Sequence, residues 1–204
     1  MLSLFEKTPC LLLVRQTFLI ILLICSAAID PNRGYAAENQ TVLWQAVHSG
    51  NVVVLIRHAI APGTGDPVAF TIGDCLTQRN LSDTGRRQAQ AIGARFRANG
   101  IDKAQVFSSQ WCRCLETAEL LGLGTVIELP ELNSFFQQYE RRDSQTDKLR
   151  KWINGQSLDQ PTVLVTHQVN ITALTDIYPG SGEMVIVKRL DSGALSVLGR
   201  IQTE

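Results

Sequence analysis

Basic side chains follow three separate apolar stretches of this sequence. They are Arg57 and His58 after Val52–Ile56, Arg113 after Ala104–Phe107, and His167 after Thr162–Thr166. If each stretch is a parallel strand, these groups meet at the carboxyl edge of one sheet, where ligands bind in open α/β folds. Burying several cations together is costly unless an anion neutralises them. The arrangement therefore predicts a binding site for an anionic group.

A phosphate group has the charge and shape that such a site requires. It carries about two negative charges near neutral pH, and its oxygens accept paired N–H groups from an arginine. The predicted helix that carries Arg113 would also direct the positive end of its dipole towards the anion. A histidine beside the phosphate can donate to its oxygens or attack phosphorus through a neutral ring nitrogen. On charge alone, either His58 or His167 could be the nucleophile.

The elements that position these residues alternate between strands and helices. Val52–Ile56 contains no polar residue, as expected for a strand covered on both faces of a parallel sheet. Further strands are predicted at Ala104–Phe107, Thr125–Leu129 and Thr162–Thr166, with late edge strands at Val185–Val187 and Leu195–Leu198. Helices are predicted from Ser82 or Asp83 to Asn99, from a cap at Ser108 or Ser109 to Gly122, and over Gln145–Asn154. This order predicts an α/β fold, a three-layer α/β/α sandwich with a mostly parallel central sheet.

The residue pattern of the N-terminal segment, residues 1–37, indicates a targeting signal rather than part of the domain. Phe18–Ile24 is a short apolar run that follows Lys7 and Arg15, and small residues come after it up to Ala37. This is the pattern of a secretory signal peptide. The run is shorter than the roughly 20 residues of a membrane span. The alternative that the segment is an uncleaved membrane anchor is left open. Residues 38–204 are then one domain of an exported, periplasmic or extracellular protein, without stable membrane insertion after cleavage.

Charge limits the classes of partner that the domain could bind, and its cysteines limit the disulfides that it could form. The chain has 19 basic and 19 acidic residues, so no overall field favours nucleic acid or an anionic membrane. Cys75, Cys112 and Cys114 lie beyond the predicted signal. In an oxidising compartment Cys75 could pair with Cys112 or Cys114, or all three could be buried as small apolar side chains. The oligomeric state is left open.

Three segments resemble the signatures of the histidine phosphatase superfamily, which has the phosphoglycerate-mutase-like fold. They are Leu55–Ala59, Ser108–Ala118 and Val165–His167. Their ordered combination is more specific than any one of them, and the resemblance extends from about Val52 to the end. It implies a phosphomonoester hydrolase in which His58 becomes a transient phosphohistidine. Arg57, Arg113 and His167 would bind the phosphoryl group, with no cofactor and no metal.

The leaving oxygen needs a proton, which members of this family often supply from a loop glutamate or aspartate. The segment Pro130–Leu132 resembles the acidic segment after the third strand in such members, which makes Glu131 the first candidate. Glu128 and Asp66 are the alternatives, Asp66 because it lies in the glycine-rich loop after the nucleophile. The acid-phosphatase and phytase branch has an aspartate directly after the second histidine, whereas this chain has Gln168.

Other residues could line the mouth of the site. Thr64 and Arg79 are candidate substrate-binding residues, although Arg79 could instead make backbone hydrogen bonds in a packed loop before a helix capped by Ser82. Phe135, Phe136 and Tyr139 could form an apolar wall around the substrate or belong to the core. We expect a small-molecule or envelope phosphate ester, whose identity the sequence leaves open.

Two other functions use the same pocket. A non-catalytic phosphate- or phosphosugar-binding protein would keep the basic residues without turnover. A phosphomutase would return the phosphoryl group to a reoriented substrate, but the chain is too short for the additional cap of such enzymes. A metal site is disfavoured because no close-spaced ligand pattern joins His58 to His167.

Overall fold

The structure is a computed structural model that describes residues 31–203, with side chains from Asn39 onwards. The predicted signal segment lies outside the described residues except for its last part, which belongs to the first helix. The helices are α1 (Pro31–Ser49), α2 (Asp83–Ala98), α3 (Cys112–Leu121), α4 (Arg142–Gly155) and α5 (Gln168–Thr175). The strands are β1 (Val52–Arg57), β2 (Gln105–Ser108), β3 (Val126–Glu128), β4 (Thr162–Thr166), β5 (Met184–Arg189) and β6 (Leu195–Ile201). None of the described helices is both long and apolar enough to span a bilayer.

The six strands form one mixed sheet in the order β3-β2-β4-β1-β5-β6. β3, β2, β4 and β1 are parallel, and β5 is antiparallel to both β1 and β6. The predicted strand positions are confirmed, but the prediction that Val185–Val187 is an edge strand was wrong. β5 is internal, and its residues from Met184 to Val187 are buried because helices cover both faces of the sheet.

Side chains alternate along β1 between two apolar cores. Val52, Val54 and Ile56 pack into the core beneath α1, α2 and α3. Val53 and Leu55 pack into the core beneath α4 and α5. This confirms the three-layer sandwich and explains why β1 has an uninterrupted apolar sequence.

The helix boundaries agree with the sequence at α2 but not at α3. Ser82 caps α2 as predicted, since its Oγ accepts from the backbone N of Gly85 at 3.0 Å. The predicted cap of α3 at Ser108 or Ser109 was wrong, because that helix begins after Trp111, which makes no side-chain cap. The sequence analysis also missed α5, whose eight residues follow β4 after His167 alone and offer no capping signal.

Two glycines of α2 allow close packing behind the carboxyl end of β1. A Cβ at Gly93 would lie 2.0 Å from the carbonyl oxygen of Leu121 on α3. A Cβ at Gly85 would lie 2.1 Å from the carbonyl oxygen of Ile60, two residues after His58. Gly93 therefore lets α2 pack against the end of α3, and Gly85 lets α2 hold the chain that leaves β1.

A disulfide joins the loop after β1 to the first turn of α3. We call residues 61–80 the cover loop. Its Cys75 is bonded to Cys112, the first residue of α3, over a sequence separation of 37, and Cys114 is buried and free. Closing a loop of this length stabilises a fold by about 4 kcal/mol in the chain-entropy description. The cover loop is therefore attached directly beside Arg113.

Candidate active site

A cavity of about 660 Å³ opens where β1 and β4 end. Its walls come from these strand ends, the start of α3, the cover loop and the segment 134–141. Arg57, His58, Arg113 and His167, which the sequence analysis placed at one sheet edge, all line it. The structure thus brings the four groups together from distant parts of the chain.

His58 is buried at the end of β1 with a defined proton position. Its backbone N donates to the carbonyl of Thr166 at 2.9 Å, which joins it to the end of β4. Its Nδ1 lies 2.8 Å from the carbonyl oxygen of Ala59. Because a carbonyl can only accept, Nδ1 carries the proton of the neutral ring and Nε2 keeps its lone pair. Burial, and secondarily the charge of Arg113, lowers the pKa of His58 to about 3.

His167 follows β4 and precedes α5, with its ring centroid 5.5 Å from that of His58. Nη2 of Arg113 lies 3.4 Å from Nδ1 of His167, and an arginine can only donate, so Nδ1 accepts. Nε2 then carries the proton and donates to Oγ of Ser109 at 2.9 Å. Ser109 donates in turn to Oδ1 of Asn133 at 3.2 Å. Burial and the charge of Arg113 hold the pKa of His167 well below its usual value.

We expect both histidines to make the fold sensitive to mild acid. Their pKa values in the folded state lie below the ordinary value of about 6.5. The unfolded chain therefore binds more protons below about pH 6.5, and stability present above that pH is lost as the pH falls. Each histidine should contribute a slope of about 1.4 kcal/mol per pH unit below about pH 6.

Urea unfolding in phosphate-free buffer between pH 7 and 5 measures this slope. This window lies above the range in which the carboxylates Asp66 and Glu183, whose pKa values are lowered, take up protons. The His58→Asn variant should show a slope smaller by the contribution of one histidine. An unchanged slope would contradict the neutral, buried state of His58.

Arg113 is buried and forms an ion pair with Asp66 of the cover loop. Its Nη1 donates to Oδ1 at 2.6 Å and its Nη2 to Oδ2 at 3.0 Å. Asp66 also accepts from Nε1 of Trp111 at 3.0 Å and from the backbone N of Arg79 at 3.3 Å. Burial alone would raise the pKa of Asp66, but the hydrogen bonds and charge of Arg113 outweigh it and lower the pKa. A carboxylate therefore occupies the paired N–H groups that could hold a phosphate.

The cavity has an excess of positive charge. Four arginines line it, together with a single carboxylate among the described lining residues, that of Asp66. Arg57 donates from Nη1 to the carbonyl of Pro179 at 2.9 Å. The Nε atoms of Arg57 and Arg113 are buried and have no acceptor within the described chain. The site therefore has both the charge and the free donors that an added anion would use.

Thr117 explains the Arg-x-x-x-Thr spacing of α3. Its Oγ1 accepts from the backbone N of Ala59 at 3.0 Å and donates to the carbonyl of Arg113 at 2.6 Å. One hydroxyl group thus connects the residue after His58 with the helical turn of Arg113. The spacing is required because residues four apart lie on the same face of a helix.

The structure does not bring Glu131 or Glu128 to this cavity. Glu131 lies in the short 3-10 turn Pro130–Leu132 and borders a separate surface groove with Lys148. The turn buries Leu132 and leaves Glu131 half-buried beside that groove. Glu128 is exposed and accepts from Nε2 of Gln110 at 3.0 Å. Of the three proton-donor candidates, Asp66 alone lines the cavity.

Thr64 and Arg79, the candidate substrate-binding residues, both line the cavity. Arg79 also makes the backbone hydrogen bonds that were its alternative role. Its Nε donates to the carbonyl of Gly65 at 2.7 Å, and its Nη1 donates to that of Ala61. Of the predicted aromatic cluster, Phe136 lines the cavity, Phe135 is buried in the core, and Tyr139 is exposed outside the cavity.

Several supporting residues escaped the sequence analysis. Ser109 was interpreted as a helix cap, but it holds His167, and Asn133 holds Ser109. Gln78 accepts from the backbone N of Cys112 at 3.0 Å, so a protein side chain already uses one of the N–H groups at the start of α3. The sequence around Asn133 and Gln78 has no periodicity that would have revealed these contacts. Throughout residues 39–203, no group of three or more His, Cys, Asp or Glu side chains could hold a metal ion.

Several solved structures have the same fold. The protein histidine phosphatase SixA complexed with tungstate is 16% identical, with a TM-score of 0.51 over 74% of this chain and 96% of that chain. A putative phosphohistidine phosphatase SixA from Agrobacterium tumefaciens is 16% identical, with a TM-score of 0.52 over 76% and 99%. Phosphoserine phosphatase from Entamoeba histolytica, in complex with 3-phosphoglyceric acid, is 15% identical, with a TM-score of 0.53 over 75% and 98%. At these identities the similarity shows the fold.

The family of the chain is shown by a match of its amino-acid sequence to a family model. No curated protein sequence matches the chain. The sequence model of the histidine phosphatase superfamily (branch 1) matches residues 53–157, just over half of the chain. This range contains the first two of the three recognised segments, and the structure places the third beside them. The chain belongs to the histidine phosphatase superfamily, branch 1.

Proposed function

We propose that this protein is a phosphomonoester hydrolase that works through a phosphohistidine on His58. The observation that carries the proposal is the state of that ring. Nδ1 donates to Ala59, Nε2 keeps its lone pair, and a pKa of about 3 leaves the ring neutral across the physiological range. A neutral imidazole with a free lone pair on Nε2, fixed in a cationic cavity, has the properties of a nucleophile for phosphorus.

The surrounding groups support binding of a phosphoryl group at the same place. Arg57 and Arg113 each have a buried Nε without an acceptor in the described chain, and phosphate oxygens are strong acceptors. His167 is neutral, and when a phosphoryl group replaces the contact of Nδ1 with Arg113, its ring can take the other tautomer. Nδ1 then donates to a phosphoryl oxygen, and Ser109 donates to Nε2. These groups would stabilise the charge that develops on the oxygens as phosphorus is transferred.

Two half-reactions complete the cycle. In the first, Nε2 of His58 forms a bond to phosphorus while the bond from phosphorus to the ester oxygen breaks and the alcohol leaves with a proton. In the second, water attacks phosphorus, the N–P bond breaks and inorganic phosphate leaves. Neither step needs a metal ion, because guanidinium groups supply the positive charge.

The physiological setting is a further part of the proposal. The N-terminal sequence pattern and the disulfide Cys75–Cys112 both favour an exported protein, since disulfides persist in oxidising compartments. We infer a small-molecule or envelope phosphate ester as substrate. Two of the structural neighbours are named as phosphatases of phosphorylated histidine and serine, which supports hydrolysis of a phosphate group.

Trapping of the phosphorylated enzyme tests this function. The full chain is mixed with a radiolabelled aryl phosphate, quenched in alkali, and analysed for protein-bound label and for inorganic phosphate. We expect a label on His58 that is stable in alkali and lost in acid, together with continued release of phosphate. A binding protein would give neither label nor phosphate. A phosphomutase would give a label that is retained until an acceptor alcohol is added.

A further inference from the structure

We propose that Asp66 is the proton donor of the reaction, held on Arg113 in the free enzyme and released when a phosphoryl group takes over that guanidinium. This inference rests on the proposed phosphatase function and assigns the group that the family resemblance left open. Asp66 contributes the one carboxylate among the described residues that line the cavity shared with His58 and His167.

Arg113 cannot offer its paired terminal N–H groups to a substrate while Asp66 stays in place. Its Nη1 donates to Oδ1 of Asp66 and, at 3.4 Å, to the carbonyl of Arg79. Its Nη2 donates to Oδ2 of Asp66 and lies 3.4 Å from Nδ1 of His167. The terminal N–H groups are thus all engaged. A phosphoryl group must therefore displace the carboxylate in order to obtain the paired hydrogen bonds of Arg113.

The displaced carboxylate would stay at the cavity wall. Asp66 keeps acceptor contacts with Nε1 of Trp111 and the backbone N of Arg79, neither of which belongs to the phosphate-binding set. The chain before it has glycines with positive φ, Gly63 at 89° and Gly65 at 70°, a conformation that favours glycine and suits local rotation. Asp66 can therefore leave Arg113 without leaving the site.

Displacement also changes the protonation of Asp66 in the required direction. It loses the adjacent guanidinium and gains a dianion as neighbour, and both changes favour the protonated carboxyl. The proton comes from solvent or from a substrate that enters as the monoanion. As Nε2 of His58 bonds to phosphorus, Asp66 gives this proton to the departing ester oxygen. In the second step the Asp66 carboxylate takes a proton from the attacking water, which restores the donor.

The test compares leaving groups in the full-length Asp66→Asn variant. The measured quantity is kcat/KM for 4-nitrophenyl phosphate and for a simple alkyl phosphate. This constant reports the steps up to and including departure of the alcohol. The nitrophenolate leaves without a proton, whereas the alkoxide requires one. We expect a fall of about 10²–10⁴-fold for the alkyl phosphate and of less than about tenfold for 4-nitrophenyl phosphate. Asp66→Glu, which keeps a carboxyl, should recover part of the loss.

Asp74→Asn is the matched control, because Asp74 lies in the same cover loop and does not line the cavity. It should behave as the parent with both substrates. An equal loss on both substrates in a folded Asp66→Asn variant would overturn the proposal and leave Asp66 as a counter-ion. No loss on the alkyl phosphate, or the selective loss in Glu131→Gln instead, would also overturn it. If the parent hydrolyses neither ester, the phosphatase function itself fails.

Discussion

Replacement of His58 by asparagine is expected to lower kcat/KM for an aryl phosphate by about 10⁴–10⁶-fold, the scale on which loss of a covalent nucleophile acts. The amide has no lone pair that can attack phosphorus, so the phosphoenzyme cannot form. An aryl phosphate is the appropriate substrate because its leaving group needs little protonation, which isolates the nucleophile from the proton donor. Initial rates of phenolate release measure the effect.

The fold should survive this change, because the asparagine amide can still donate to the carbonyl of Ala59. His48→Asn is the control, since His48 lies on α1 outside the cavity and bonds to the carbonyl of Asn99. The control should retain parental turnover and phosphoenzyme label. A folded His58→Asn variant that keeps more than about a tenth of parental kcat/KM would show that another group carries the nucleophilic step.

Replacement of Arg113 by methionine is expected to affect turnover and stability through different atoms. Turnover should fall by about 10²–10³-fold or more, because a preorganised donor to the developing charge is lost. Stability should fall by about 3–5 kcal/mol, because the side chain of Asp66, only 10% exposed, loses its partner. The two measurements are phenolate release and urea unfolding at neutral pH.

A double variant separates the two effects. In Asp66→Asn/Arg113→Met the uncompensated charge is removed, so most of the stability should return. Activity should not return, because the phosphoryl group still lacks its guanidinium. If stability and activity recover together, Arg113 supports the fold without binding the phosphoryl group, and its assignment to the site would have to be abandoned.

The positions of the reactive groups follow from the sequence because each depends on a strand end. An uninterrupted apolar run such as that of β1 must be covered on both faces, and the carboxyl ends of parallel strands share one edge. This is enough to bring His58 and His167 together before any coordinates are known. The same argument fails at β5, whose run Met184–Val187 is as apolar as β1 and was placed at an edge. Nothing in the sequence indicates which neighbour covers a late strand.

The proton donor shows where local sequence reasoning ends. Glu131 was preferred because of the segment around it, but a buried Leu132 turns that short helix so that Glu131 points away from the cavity. Asp66 reaches the cavity through a partner 47 positions away in the chain, Arg113. Contacts between irregular loops have no periodicity, so they emerge from tertiary packing alone. The same holds for Ser109 and Asn133, whose roles depend on the position of His167.

The bond between Cys75 and Cys112 gives the site a maturation requirement. Beyond residues 1–37 the chain has a third cysteine, Cys114, two positions from the correct partner, and a wrong pairing would pull the cover loop off the cavity. Burial raises the pKa of the Cys114 thiol to about 12, so in the folded domain it supplies almost no thiolate for exchange. Once the domain has folded, Cys114 therefore does not compete for the bond between Cys75 and Cys112. A chain oxidised before its core has formed has no such protection, and a wrong pairing would leave its active site unassembled.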